Sequence, residues 1–410
     1  IEHTVGTHAS INTGGNKFNG NAIFNLVGGE LNTGYSGFGA DTVNGNTSFT
    51  LGDEERLVES HSFKNKYNGN LTVNRTGTGN TYLFKSGHDG ISGNLNIYNS
   101  NINTYGGGAV VEINPDGVSL AAIAGTVDVN LEAIRPNDLW FAMRGITNNT
   151  AGGEIKLTNA TKINFVNNLL KATCTISGLA GSTENNFFGN NISGNFTLES
   201  SSGNHAPVYF GSNLLTGNTS FNLSGGQLFT GYTGYGADIY TGNTTITLGV
   251  GETLNESHGY PNKYNGNLTV TRTGEGKINL FMMGHAGISG NFSFTNLHGN
   301  SGEDYINKNN SPTAPIQGTI NIDVNLEIAF GFQLFQIKGI VNNTAGGTIN
   351  IANQIDVSLQ NNTLKADINI TSLRLGNGPV TINGNIITGN FFLYILDGVQ
   401  VYTGGSQFNG

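Results

Sequence analysis

The sequence predicts an all-β fold, a right-handed parallel β-helix or β-solenoid with about 24–25 residues and three short strands in each coil. Three observations predict it. A long segment is written twice, a shorter unit recurs inside each copy, and the composition is rich in glycine and asparagine but poor in charge.

The long repeat is plainest where KYNGNLTVNRTG (66–77) returns as KYNGNLTVTRTG (263–274). Around it, GGELNTGYSGFGAD (28–41) returns as GGQLFTGYTGYGAD (225–238), and ESHSFKNKYNGNLTV (59–73) as ESHGYPNKYNGNLTV (256–270). Further on, VDVNLE (127–132) matches IDVNLE (322–327), and GITNNTAGG (145–153) matches GIVNNTAGG (339–347). The closing GGSQFNG (404–410) matches GGNKFNG (14–20) and reads as the opening of a third copy, so the sequence reads as a window on a longer array. The expected organisation is the end of a preceding repeat (1–17), one long repeat (18–214), a second (215–407) and the start of a third (408–410), with about eight coils per long repeat.

The shorter unit is Gly-Asn followed by alternating apolar residues. It starts at Asn21, Asn46, Asn70 and Asn94, then continues less regularly through 125–131, 152–158, 172–178 and 194–200, and opens again at Asn218. In the unit from Asn46, TSFTL, ERLVE and FKNKY are the three strands, with GD and SH at the corners between them. Gly69-Asn70 is then the corner that returns the chain to the first strand. Period-two alternation at a fixed spacing excludes helical repeats, which need a 3.6-residue period. Stacked coils lie about 4.8 Å apart, so Phe24, Phe49, Val73 and Ile97 should form one core column, and each corner Asn should pair with its neighbours above and below.

Composition agrees. Gly fills 62 of 410 positions, roughly double ordinary usage. Charged residues are 11% and apolar residues 36%, a balance unlike that of disordered chains. A net charge of −9 without a basic cluster excludes phosphate-driven nucleic-acid binding. No apolar run is long enough for a membrane-spanning helix. The chain starts at Ile1 without a signal peptide, which reads as a mature product or a fragment. The single cysteine, Cys174, aligns with Ile368 in the second copy and reads as a small core residue.

Several polar groups recur in both copies. Glu59, Ser60, His61, Lys66, Tyr67 and Arg75 return as Glu256, Ser257, His258, Lys263, Tyr264 and Arg272. Glu-Ser-His hints at a hydrolase, but strand neighbours point to opposite faces, so the reading is a corner or surface polar ladder. His88 and His285 match, but Asp89 becomes Ala286; His8 and His205 form a third pair. SGFGADTVN (36–44) and TGYGADIYT (233–241) resemble part of a calcium-binding nonapeptide, yet occur once per long repeat, so Asp41 and Asp238 read as turn ends. The same loops set Tyr35 and Phe38, or Tyr232 and Tyr235, in glycine frames beside one carboxylate, which suits contact with sugar rings. The candidate ligand-binding residues are therefore Tyr35, Phe38, Asp41, Lys66, Tyr67 and Arg75, with Tyr232, Tyr235, Asp238, Lys263, Tyr264 and Arg272 in the second copy. The acidic run Asp53, Glu54 and Glu55 aligns with Val250, Gly251 and Glu252, so it lacks the repeated charge cluster of a polysaccharide-cleaving β-helix. Thr-x-Thr stretches are too irregular for an ice-binding face, and N-x-S/T triplets follow from composition alone.

YNGNLTVTRTGEGKINLFMMGHAGISGNFSFTN (264–296) resembles the units of very large repetitive surface proteins of Bacteroidota, exported by the type IX route, some of them gliding-associated adhesins. The resemblance covers nearly the whole chain and rests on low-complexity motifs. It implies an extracellular or cell-surface filament, adhesion to surfaces or polysaccharide, and O-glycosylation at Asp41-Thr42-Val43, a site the second copy lacks at Asp238-Ile239-Tyr240. The terminal sorting domain of such proteins is not in this sequence, as expected of a fragment. Autotransporter passenger domains are a similar family of β-helical rods. The function expected is a non-enzymatic structural segment of a bacterial adhesin or filament, against the alternatives of a polysaccharide lyase or hydrolase and a self-assembling fibre subunit. No cofactor or metal is expected. The partners expected are neighbouring repeats of the same chain or filament and surface polysaccharide, without nucleic acid or membrane insertion.

Overall fold

The structure, a computed structural model, describes residues 1–102, 109–134, 139–181, 183–200, 204–296, 303–325, 334–352, 356–373, 379–395 and 398–410. Of the IDVNLE motif, Leu326 and Glu327 lie outside the described residues. No α-helix occurs among the described residues, and their ladders are parallel. The chain divides into two compact units, Ile1–Ser200 and Ser201–Gly410. The fold is the parallel β-solenoid that the sequence predicts.

In the first unit, each regular coil carries three strands. The coil from Asn46 has Thr47–Leu51, Arg56–Val58 and Asn65–Tyr67. The last is shorter than FKNKY, because residues 61–64 form the corner. Thr47–Leu51 lies in register between Ala22–Leu26 and Leu71–Arg75, which pairs in turn with Leu95 onward. Phe24, Phe49, Val73 and Ile97 are consecutive partners in this sheet and all are buried, so the expected column forms. Alternation fills the core from one side of each strand and leaves Thr and Asn on the other.

The Gly-Asn corner has a direct physical account. The N–H groups of Asn46, Asn70 and Asn94 donate to the side-chain oxygens of Asn21, Asn46 and Asn70, at 2.9, 2.9 and 2.8 Å. Each asparagine side chain thus holds the backbone of the coil stacked after it. The preceding residue has to be glycine: a Cβ on Gly69 would lie 2.6 Å from the Gly45 carbonyl oxygen and 2.7 Å from Asn46 Oδ1.

The coil length varies more than the sequence spacing suggests. Leu71 pairs with Leu95, but Leu95 pairs with Val127 and Glu154 with Thr173. Insertions and deletions are absorbed between strands while the register of the core column is kept.

The second unit repeats the plan. Thr219–Leu223, Thr244–Leu248, Leu268–Arg272 and Phe292–Asn296 stack in register. Asn243, Asn267 and Asn291 donate to Asn218, Asn243 and Asn267 at 3.0, 3.0 and 2.8 Å. Its coils vary in the same order, with Phe292 facing Ile320 and Thr348 facing Asp367. Cys174 and Ile368 occupy matching core positions beside Ile155 and Ile349, and burial pushes the Cys174 thiol up to about 12.

Candidate functional site

The Glu-Ser-His motif sits at the corner between second and third strands, but the polar cluster is internal. Ser60 has φ +53° and Ser257 φ +53°, a left-handed turn that breaks strand alternation and brings adjacent side chains to the same side. Glu59 and Ser60 are both fully buried, as are Glu256 and Ser257. In the first unit Glu59 Oε1 accepts from Ser60 Oγ (2.5 Å), Tyr67 Oη (2.6 Å) and Asn65 Nδ2 (3.0 Å), and Oε2 accepts from the Phe84 N–H (2.8 Å). In the second, Glu256 accepts from Ser257 (2.6 Å), Tyr264 (2.8 Å), Asn262 (3.0 Å) and Phe281 N–H (2.8 Å). Burial raises both carboxyls above the ordinary range, and the donors oppose that rise. These are saturated structural carboxylates. The expectation of a surface ladder is corrected by that one backbone angle.

His61 and His258 turn the other way, toward the loop aromatics. The His61 ring lies 5.0 Å from Tyr35, and the His258 ring 5.4 Å from Tyr232. They have no part in a triad with the buried serine.

Of the twelve candidate residues, Asp41, Tyr67, Arg75, Asp238, Tyr264 and Arg272 are buried, out of reach of a ligand arriving from solvent. Asp41 closes its loop: its carboxylate accepts from Thr13 Oγ1 (2.9 Å), Asn16 N–H (3.0 Å) and Gly34 N–H (3.3 Å). Asp238 does the same for Asn213 N–H (3.0 Å) and Gly231 N–H (2.8 Å), and burial pushes it up to about 6. Both aspartates serve the turn, each carboxylate accepting from two backbone N–H groups. Lys66, Phe38, Lys263 and Tyr235 are exposed, while Tyr35 and Tyr232 are half-buried.

Arg75 and Arg272 occupy core positions where the preceding coil carries leucine (Leu51, Leu248) and the following one asparagine (Asn99, Asn296). Arg75 donates to the Glu55 carbonyl (2.9 Å), the Thr78 carbonyl (2.8 Å) and Thr81 Oγ1 (2.7 Å). In the second unit Ile278 replaces Thr81, and Arg272 instead reaches one coil further to Asp304, at 2.6 Å. Asp304 matches Val111 of the first copy, and Asn296 donates to it.

Two histidine–glutamate contacts were not read from the sequence. His8 Nε2 meets Glu55 at 2.9 Å, and His205 Nε2 meets Glu252 at 2.9 Å, each across two coils. Burial opposes a charge on His205, but Glu252 outweighs it and raises the imidazole. The signal was available: the histidine–glutamate separation is the same in both copies. His88 and His285 are buried against Phe84 and Phe281, and Asp89 is exposed rather than paired with His88. Among the described residues, no three His, Cys, Asp or Glu side chains gather as a cation site.

The chain matches no family model, and no curated protein and no solved structure matches it.

Proposed function

We propose that this chain is a non-enzymatic, repetitive structural segment of a bacterial cell-surface adhesin or extracellular filament, of the kind its Gly-Asn units resemble. It acts as a spacer in which one coil framework returns once per long repeat and carries exposed loops that vary from copy to copy. The observation that carries this reading is the fate of the recurring polar residues. Glu59 and Glu256, the groups most suggestive of chemistry, are each saturated by four internal donors. A carboxylate so engaged, and fully buried, offers nothing to a substrate arriving from solvent. Repetition adds the second argument, since weak contacts linked along one chain gain strongly in avidity.

The test is made on intact cells that express the protein. Antibodies raised against this segment are expected to label the unpermeabilised surface, and protease treatment of whole cells to remove the label. Label seen only after permeabilisation would overturn the reading. The lyase alternative is separated by incubating the protein with pectin and alginate: depolymerisation abolished by changing one charged residue would replace the structural reading with an enzymatic one.

A further inference from the structure

We propose that an aromatic corner in the second unit binds uncharged pyranose rings of a neutral polysaccharide, and that the matching corner of the first unit does not. The inference rests on the surface location proposed above and goes further, naming a ligand class and one of two nearly identical loops.

The two corners share a frame. Each loop is held by its buried aspartate, and each carries an aromatic tip, Phe38 at 62% exposure and Tyr235 at 51%. Their surroundings differ in a consistent direction. Next to the first loop, Glu30 pairs with Arg56, and His61 feels Lys85, Glu30 and Arg56. In the second copy these three charges become Gln227, Thr253 and Met282, and burial lowers His258. Asn12 and Asn32, which bond to each other at 3.0 Å, become Tyr209 and Phe229. Phe38 and Phe63 become Tyr235 and Tyr260. Lys277 stacks on Thr253 from the next coil, and Lys263 is exposed on the strand that leaves the corner.

The result is a connected ring cluster. Tyr209 lies 4.3 Å from Tyr232 and 5.2 Å from Phe229; His258 lies 5.1 Å from Phe229. Tyr235 is inclined 22° to Tyr232, with centroids 6.3 Å apart. Tyr260 is 41% exposed on the neighbouring coil, its N–H bonded to the Gly231 carbonyl. A pyranose presents an apolar C–H face and a rim of hydroxyls. Aromatic planes with phenol and imidazole edges complement both, and replacing Arg56 and Lys85 by Thr253 and Met282 weakens the attraction for uronates and sulfates. Rings already packed against each other lose little freedom on binding.

The full chain is run through native gels containing laminarin, galactomannan or sodium alginate. Retardation by laminarin or galactomannan but not by alginate is expected. Tyr235→Ala, and independently Tyr260→Ala, should weaken it about tenfold, while Phe38→Ala changes it less than about twofold. Tyr235→Phe should keep most of the binding. Unchanged melting temperatures show that the exposed substitutions leave the fold intact. No retardation by either neutral polymer overturns the inference, as does equal retardation by alginate or equal loss in Phe38→Ala. A surface-labelled protein that fails these gels loses this site alone, whereas label confined to permeabilised cells removes the surface reading itself.

Discussion

Histidines 88 and 285 show how a single buried group sets a pH dependence. The Gly90 N–H donates to His88 Nδ1 at 3.0 Å, and the Gly287 N–H to His285 Nδ1 at 3.2 Å. Nδ1 therefore carries no proton, and each Nε2 is buried without an acceptor among the described residues. A second proton would have to break the Nδ1 bond and charge an imidazole lying against a phenylalanine. Burial accordingly pulls both groups down to about 4, against about 6.5 in an unfolded chain. Between these values the unfolded state binds more protons, so the two histidines contribute stability above about pH 6.5 that is lost as the pH falls toward 4. Asp238, raised to about 6, slopes the opposite way, because the folded state holds its proton more tightly. The expected outcome is that H88Q/H285Q loses less of its urea midpoint between pH 7 and pH 4.5 than the parent chain. An equal drop in both would show that these histidines titrate normally.

At the level of the coil, the sequence carried most of the strand plan and little of the interior polarity. Gly-Asn, alternating apolar residues and the recurrence interval are local properties, so TSFTL and the column through Phe49 were legible directly. Burial of Glu59, Tyr67 and Arg75 was not. For Glu59 and Tyr67 it depends on a left-handed Ser60 and on the Phe84 N–H of the next coil, for Arg75 on acceptors in its own loop and the preceding coil, and residue type alone places glutamate and arginine outside. The shift of the Arg272 partner to Asp304 belongs to the same class, since it compares residues one coil apart. It also gives a prediction. Asp304→Val should leave the buried guanidinium with carbonyl partners only and cost about 3–5 kcal/mol. Adding Ile278→Thr restores the hydroxyl that Arg75 uses and should recover about 1 kcal/mol or more. A double-mutant cycle from urea denaturation measures the coupling, and strict additivity would refute the exchange of partners.

For the whole chain, two compact units and nearest-neighbour stacking imply that damage in one need not propagate at full strength to the other. The sole tryptophan, Trp140, belongs to the first unit, so its fluorescence reports that unit, while far-UV circular dichroism reports strands of both. Glu256→Ala removes the acceptor shared by Ser257, Asn262, Tyr264 and the Phe281 N–H. The expected cost to the second unit is about 3–5 kcal/mol. Dichroism should then begin to fall at lower urea than Trp140 fluorescence. Coincident curves would mean that both units unfold as one.

The partner exchange around Arg75 and Arg272 bears on inheritance as well as stability. Tandem copies this similar invite unequal crossing-over, and most junctions would be silent because Gly-Asn coils are interchangeable. A crossover falling between the codons for Ile278 and Asp304 is different. One recombinant would join Ile278 to a Val111-type coil, leaving the guanidinium with neither side-chain partner. The reciprocal product would hold both Thr81 and an Asp304-type carboxylate. A stretch across which exchange would cost stability therefore lies between these codons, and in related arrays Thr81-type residues are expected to travel with Val111-type ones and Ile278-type with Asp304-type.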